Sequence, residues 1–209
     1  MTVPLLLLGA GGHARSCIDV IEAHGGFTIA GLTGLAAEVG TRVLGYPVLG
    51  TDDDLPAFLK THGNALIAVG QIKDPGLRKR LFDMIEKRGC ALPAIVSPRA
   101  HVSRHATLGA GTIVMHGAIV NAGASVGKNC IINSLALVEH DAEIGDHCHV
   151  ATAAALNSGV KVGIGTFIGS NVCVRQGVCI GNDCVIGMGQ RVLKDCPAGT
   201  WMPSGRGKP

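Results

Sequence analysis

Three histidines crowd the stretch Val138-Glu139-His140-Asp141-Ala142-Glu143-Ile144-Gly145-Asp146-His147-Cys148-His149. Imidazole titrates near neutral pH, so a histidine beside carboxylates is suited to general-base work. His140 is the first candidate, and either Glu139 or Asp141 could hold its second ring nitrogen. His149 is a second candidate further along. Zinc ligation is the rival chemistry for such a cluster. No CxxC pair accompanies it, and no metal is expected.

A second constellation opens the chain, where Leu5-Leu6-Leu7-Leu8 runs into Gly9-Ala10-Gly11-Gly12-His13-Ala14. An apolar strand followed by a glycine-rich turn and a helix presents backbone N–H groups to an anion, so a phosphate-bearing ligand is in keeping with it. The glycines also match the dinucleotide fingerprint. That reading requires an acid at the end of the second strand, where the chain has Gly31-Leu32-Thr33-Gly34, so a nicotinamide dehydrogenase is disfavoured. The glycines could also serve packing alone.

The elements that position these groups follow from two different patterns. Strands at Phe27 to Leu32 and Ala65 to Val69 alternate with helices at Arg15 to Ala23, Asp52 to Lys60 and Leu77 to Arg88. Pro47 to Leu49 is a short third element, and the whole predicts a small Rossmann-like α/β domain over residues 1–92. From Val96 to Val192 every sixth residue is Val, Ile or Leu, over 17 positions without exception. Four places after most of them stands a small residue such as Ala118, Ala124, Cys130, Ala136 or Cys148. This period predicts a parallel β-helix with three sides per 18-residue coil over residues 93–209. Glycines directly after the aliphatic position, such as Gly109, Gly127, Gly145 and Gly163, are expected to serve turns of positive φ. Histidines 140, 147 and 149 fall outside the aliphatic and small registers, so they are expected to project from the prism or sit at its corners.

Composition narrows the classes. Aromatic residues make up 3% and the net charge is +3, with no basic-aromatic face, so a nucleic-acid partner is not expected. MTVPLLLL lacks the charged start of a signal peptide, and no apolar run reaches membrane length, so no membrane partner is expected. Three of the eight cysteines, Cys130, Cys148 and Cys184, occupy the small site of the repeat. They read as reduced packing residues, which implies the cytoplasm.

Taken together, Gly9 to Ala14, Ala68-Val69-Gly70, the hexapeptide rod and Glu139-His140-Asp141 with His149 resemble the bacterial sugar acetyltransferases of the sialic acid O-acetyltransferase and bacillosamine-pathway N-acetyltransferase type. The resemblance implies a left-handed β-helix, a homotrimer, acetyl-CoA in a groove between neighbouring rods, and a sugar held by the N-terminal domain near an adjacent rod. It also implies that His140 is the general base, Asp141 the acid that follows it, and His149 a second active-site histidine near the thioester. His13, with Gly9, Gly11, Gly12 and Gly70, would face the sugar. The acetyl oxygen would meet a backbone N–H around Ser158 or Gly159, and Arg206 or Lys208 a CoA phosphate.

Two departures stand out. Relatives using UDP-amino sugars usually carry an Asp pair where this chain has Leu32-Thr33, and they commonly end in a Gly-x-Pro-Ala-Lys segment that is absent here. The expected reaction is direct acetyl transfer to the amine of a nucleotide-linked amino sugar. O-acetylation of sialic acid or a related nonulosonic acid is the alternative, and a non-catalytic scaffold is a third reading. Cys148 and Cys184 fall on interior positions, so no acyl-enzyme is expected.

Overall fold

The computed structural model describes residues 2–204. Its first part is a five-stranded sheet built from β1 (Val3–Leu8), β2 (Phe27–Thr33), β3 (Arg42–Val43), β4 (Tyr46–Gly50) and β5 (Ala65–Ile67), in the order β3-β4-β2-β1-β5. All pairings are parallel except β3 with β4. The Leu5 to Leu8 run is buried on both faces, as an inner parallel strand requires. Leu5 and Leu7 meet helix α1 (Gly12–His24), while Leu6 and Leu8 meet α2 (Leu55–His62) and α3 (Gly76–Glu86). Helix α1 begins three residues before the expected Arg15, because Gly11 serves as its N-cap.

The hexapeptide register becomes a three-sided left-handed β-helix. Each side contributes two residues per coil, the second pointing inward: Val114, Val120, Val126, Ile132, Val138 and their successors fill the interior with the small corner residues. The first face runs Ile95–Val96, Ile113–Val114, Ile131–Ile132, His149–Val150, Phe167–Ile168, Val185–Ile186 and Trp201–Met202. The second face runs from His101–Val102 to Arg191–Val192, and the third from Thr107–Leu108 to Cys179–Ile180. The rod therefore continues past Val192, where the aliphatic beat ends, through Cys196 and the Trp201–Met202 rung. Six rung spacings make it about 29 Å long.

One expectation about the glycines is corrected. Gly109, Gly127, Gly145 and Gly163 do not have positive φ; the left-handed residues fall two places later, at Gly111, Gly117, Gly123, Asn129, Leu135, Asp141 and His147. Gly109 is required instead by close approach between coils. A Cβ there would lie 2.5 Å from the backbone at Gly127 and Lys128.

The α/β part sits on the first face. Ile95, Ile113 and Ile131 point outward and are buried with α1, β1 and Met115. Each isoleucine so covered contributes roughly 1.5–3 kcal/mol. A polar clip adds to this contact. Ser97 Oγ lies 2.5 Å from His116 Nδ1, and His116 Nε2 lies 2.8 Å from Asp19 Oδ2 on α1. The order Ser, His, Asp resembles a nucleophilic triad, but Ser97 is fully buried and its oxygen also accepts the Arg99 N–H, so the clip holds the two parts together. Strand β5, at the sheet edge, is the strand nearest the rod; β2 and β4 are remote from it.

Candidate active site

His140 stands at the corner between the second and third faces. Asp141 follows it in the left-handed conformation (φ 60°), which turns its carboxylate back so that Oδ2 lies 2.8 Å from His140 Nδ1. The other candidate, Glu139, is occupied elsewhere: its Oε2 accepts the His140 backbone N–H and the Asn121 amide. The choice that spacing left open is thus made by backbone geometry. One coil further on, Ser158 Oγ lies 2.8 Å from His140 Nε2. With Nδ1–H donating to Asp141, Nε2 is the acceptor and the Ser158 hydroxyl the donor. The hydrogen bond to Asp141 raises the proton affinity of the exposed imidazole. Gly159 cannot serve an acetyl oxygen as expected, because its N–H donates to the His140 carbonyl at 3.1 Å. The Ser158 N–H has no acceptor among the described residues.

His149 occupies a different place. It points outward from the first face, in line with Ile131 before it and Phe167 after it. It projects from the prism as expected but is not exposed, because the segment after β5 covers it. Nδ1 donates to the Gln71 carbonyl at 2.6 Å, and Nε2 faces the Asn133 amide at 3.2 Å. Burial holds its pKa down to about 4, with the Gln71 bond opposing and nearby Arg78 adding to the shift, so the ring is neutral at pH 7. The corner bearing His140 lies across the prism from this face, so one chain does not bring His140 and His149 together. His147 belongs to neither group. It is wedged edge-on against Phe82 of α3, with Nδ1 bonded to Asn129 at 2.9 Å.

The glycine-rich turn forms the floor of a cleft of about 340 Å³ along the carboxyl ends of β2, β1 and β5. Gly9 has φ +114°, and a Cβ there would strike Val69 at 2.7 Å, so this glycine is structural. A Cβ on Gly11 or Gly12 would meet nothing within 4 Å. Packing therefore does not explain those two, and they leave the N-terminus of α1 open to an anion. His13 lies against Gly70 at the rod end of the cleft, its ring centroid 6.4 Å from that of His149. Burial, then Arg78, then His149 push its pKa down to about 3, and its buried Nε2 has no hydrogen-bond partner among the described residues. At the far end stand Glu38 and Asp52. Sequence reasoning found no acid at the end of β2, yet Asp52, arriving from the end of β4, accepts the Thr33 hydroxyl at 3.2 Å. Pairing of β2 with β4 supplies in space what is missing in sequence.

Comparison with known proteins decides the family. Residues 4–85 match the family described as the PglD N-terminal domain. The perosamine N-acetyltransferase PerB from Caulobacter crescentus, solved with CoA and GDP-perosamine, is 35% identical over 96% of this chain and 94% of its own, with a TM-score of 0.87. The chain belongs to the hexapeptide-repeat sugar N-acetyltransferases of the bacillosamine type. The acetyltransferase domain of PglB from Neisseria gonorrhoeae, solved with acetyl coenzyme A, is 28% identical, each chain covering 100% of the other, with a TM-score of 0.89. WeeI from Acinetobacter baumannii, at 22% identity and TM-score 0.84, shares the fold. No curated protein matches in sequence. This chain is an acetyl-CoA-dependent sugar acetyltransferase.

The acetyltransferase has a second groove beyond His149, of about 280 Å³. It continues the outward column through Phe167, Val185 and Trp201, and is walled by Met188, Ile72 and Lys73. Phe167 meets the His149 ring edge-on at 5.2 Å, and Lys73 Nζ lies 5.8 Å over Trp201. Arg206 and Lys208 lie outside the described residues. Among those described, no group of side chains is arranged to hold a metal and no helix is long and apolar enough to cross a membrane.

The Asp141 contact predicts a pH effect. A general base works when neutral, above its pKa, and Asp141 raises that pKa by stabilising the imidazolium. Asp141→Asn is therefore expected to move the acid limb of the pH–rate profile to lower pH while depressing the plateau rate. An unmoved limb would show that another group sets the affinity of the ring.

Proposed function

We propose that the enzyme transfers acetyl from acetyl-CoA to an amine of a nucleotide-linked amino sugar in surface-glycan biosynthesis, in the cytoplasm. Residues 1–92 carry the acceptor and residues 93–209 the thioester. The observation that carries the proposal is the disposition of His140. Its Nδ1 is held by a carboxylate, and its Nε2 is occupied only by the exchangeable Ser158 hydroxyl. The incoming amine displaces Ser158 and places its N–H on Nε2. As the amine attacks the thioester carbon, its proton passes to His140. The tetrahedral intermediate then collapses with cleavage of the C–S bond, and the proton goes on to the departing sulfur, so CoA leaves as the thiol and His140 is again neutral. The Ser158 N–H is the donor for the developing oxyanion.

The acceptor lies along the cleft with its diphosphate at the N-terminus of α1 and its sugar toward His13 and His149. Acetyl-CoA follows the groove from His149 toward Trp201. Neutral His13 and His149 suit a site that must take an uncharged amine. His140 of one copy then faces the cleft of another, in a homotrimer. The outward residues of the three faces support this. The first face is covered by the α/β part as far as His149, and the third is polar, with Lys161 and Glu143 paired at 2.9 Å. The second presents Ile119 and Cys173 exposed and Leu137 and Ala155 half-buried, an apolar strip suited to a second copy. The eight cysteines are free thiols, in keeping with a reducing compartment. An O-acetylated sialic acid is the weaker reading, since the 35% identical relative was solved with GDP-perosamine, a nucleotide-linked amino sugar.

The test is thiol release from acetyl-CoA against UDP-, GDP- and dTDP-amino sugars and free and CMP-linked sialic acids. Release with an amino sugar, rising with pH through the pKa of the amine, is expected. Release with a sialic acid alone would replace the proposal.

A further inference from the structure

The distal end of the cleft has a chemical sign that the proposed function does not use. We infer that this end reads guanine, with Asp52 and Glu38 accepting from the adjacent N1–H and N2–H₂ donors of a GDP-linked amino sugar. The inference rests on the nucleotide-sugar reading above.

The order β4-β2-β1-β5 lays the cleft out as a line. Strand β5 and Gly70 are beside the rod, the open N-terminus of α1 is in the middle, and the ends of β2 and β4 are remote. A nucleotide with its diphosphate at α1 and its sugar toward His149 must place its base at the remote end. The charged side chains lining the cleft there are carboxylates, and its one side chain with an N–H, His13, is at the other end.

Asp52 is not a helix cap. In the Asp52-Asp53-Asp54 turn it is Asp54 that accepts the Thr51 N–H, at 2.8 Å. Asp53 and Asp54 are exposed, whereas Asp52 is half-buried in the cleft wall and is oriented by the hydroxyl of fully buried Thr33. Its Oδ2 has no partner among the described residues. Glu38 uses Oε2 to accept the Leu35 N–H, at 2.8 Å, and its Oε1 likewise has no partner among them.

Donor counting selects the base. Guanine offers two neighbouring N–H groups on one edge, a match for carboxylate oxygens. Uracil offers one N–H flanked by two carbonyl oxygens, and adenine and cytosine set their amino group beside an acceptor nitrogen. An acceptor-only wall therefore takes two hydrogen bonds from the guanine edge, whereas each of the other bases sets an acceptor beside the single group it donates from.

Calorimetric titration of the full chain with GDP, UDP, ADP and CDP tests this, for the wild type, Asp52→Asn and Glu38→Gln. GDP is expected to bind about 10- to 100-fold more tightly than UDP, the discrimination of one bidentate pair. Each exchange is expected to weaken GDP toward the UDP value while UDP is unchanged. Both exchanges conserve shape, and unchanged UDP binding reports an intact cleft. UDP binding as tightly as GDP would overturn the inference. So would equal weakening of both nucleotides, which would mean that the carboxylates hold the ribose hydroxyls. If UDP is preferred and thiol release occurs with a UDP-amino sugar, the base assignment fails while the acetyl-transfer reading stands. If no nucleotide binds, both fail.

Discussion

His140→Ala is expected to lower kcat by about 10²- to 10⁴-fold, the usual contribution of a positioned general base, with little change in the affinity for acetyl-CoA. The reason is local. On the proposed mechanism Nε2 is, among the described residues, the one acceptor at this corner with a proton affinity suited to an amine losing its proton, and Asp141 would stabilise the imidazolium that forms. Neither Glu139 nor Ser158 can replace it, since Glu139 is held by Asn121 and the His140 backbone, and a hydroxyl is too weak a base. His140 is exposed and its ring fills no core position, so the variant should fold as the wild type does. Rapid-quench turnover together with a melting curve checks both halves of the statement. A variant with near-normal turnover would remove His140 from the mechanism.

Arg78→Met is expected to cost about 3 kcal/mol of stability, the result of stranding several buried carbonyl-type acceptors. Arg78 is fully buried in α3, and no carboxylate pairs with it among the described residues. Its Nη1 donates to the carbonyls of Ile67 and Val69 at 3.0 and 2.6 Å, and its Nη2 to the carbonyl and side-chain oxygen of Asn129 on the rod at 3.0 and 2.6 Å. Burial lowers its pKa to about 10, so the guanidinium stays charged at pH 7. It ties the end of β5 to the rod, two residues before the Gln71 carbonyl that fixes the tautomer of His149. Removing the charge relieves its desolvation but leaves four acceptors without a donor, and the second effect is the larger. At 2–4 °C per kcal/mol for a chain of this size, the melting temperature should fall by about 6–12 °C. Arg78→Lys should recover only part of this, because one ammonium does not span two pairs of oxygens. A melting temperature unchanged by Arg78→Met would contradict the role.

The fold was more legible in the sequence than the site. The six-residue beat places every inward residue of the rod through Val192, because interior packing tolerates only aliphatic and small side chains. It says nothing of what covers the outside. His149 therefore read as an outward or corner residue of the same cluster as His140, although the two lie on opposite sides of one prism and the segment around Gln71 buries His149. The glycines that directly follow some aliphatic positions carried a true signal for a different reason, close approach of coils rather than positive φ. Arg78 gave no signal, since a charged residue in an amphipathic helix ordinarily faces water. Asp52 read only as the first residue of a helix, and the pairing of β2 with β4 brings it to Thr33.

The central claim is that His140 of one copy acts on an acceptor held by another, and complementation tests it most directly. His140→Ala removes the base, and Gly12→Asp sets a carboxylate in open space where the diphosphate would lie. Each variant alone should be nearly inactive. Co-expressed in equal amounts, they should recover about a quarter of wild-type turnover, because in a cyclic trimer a quarter of the sites pair an intact corner with an intact cleft. Activity no higher than that of the two variants apart would show that corner and cleft act within one chain, and would contradict the account.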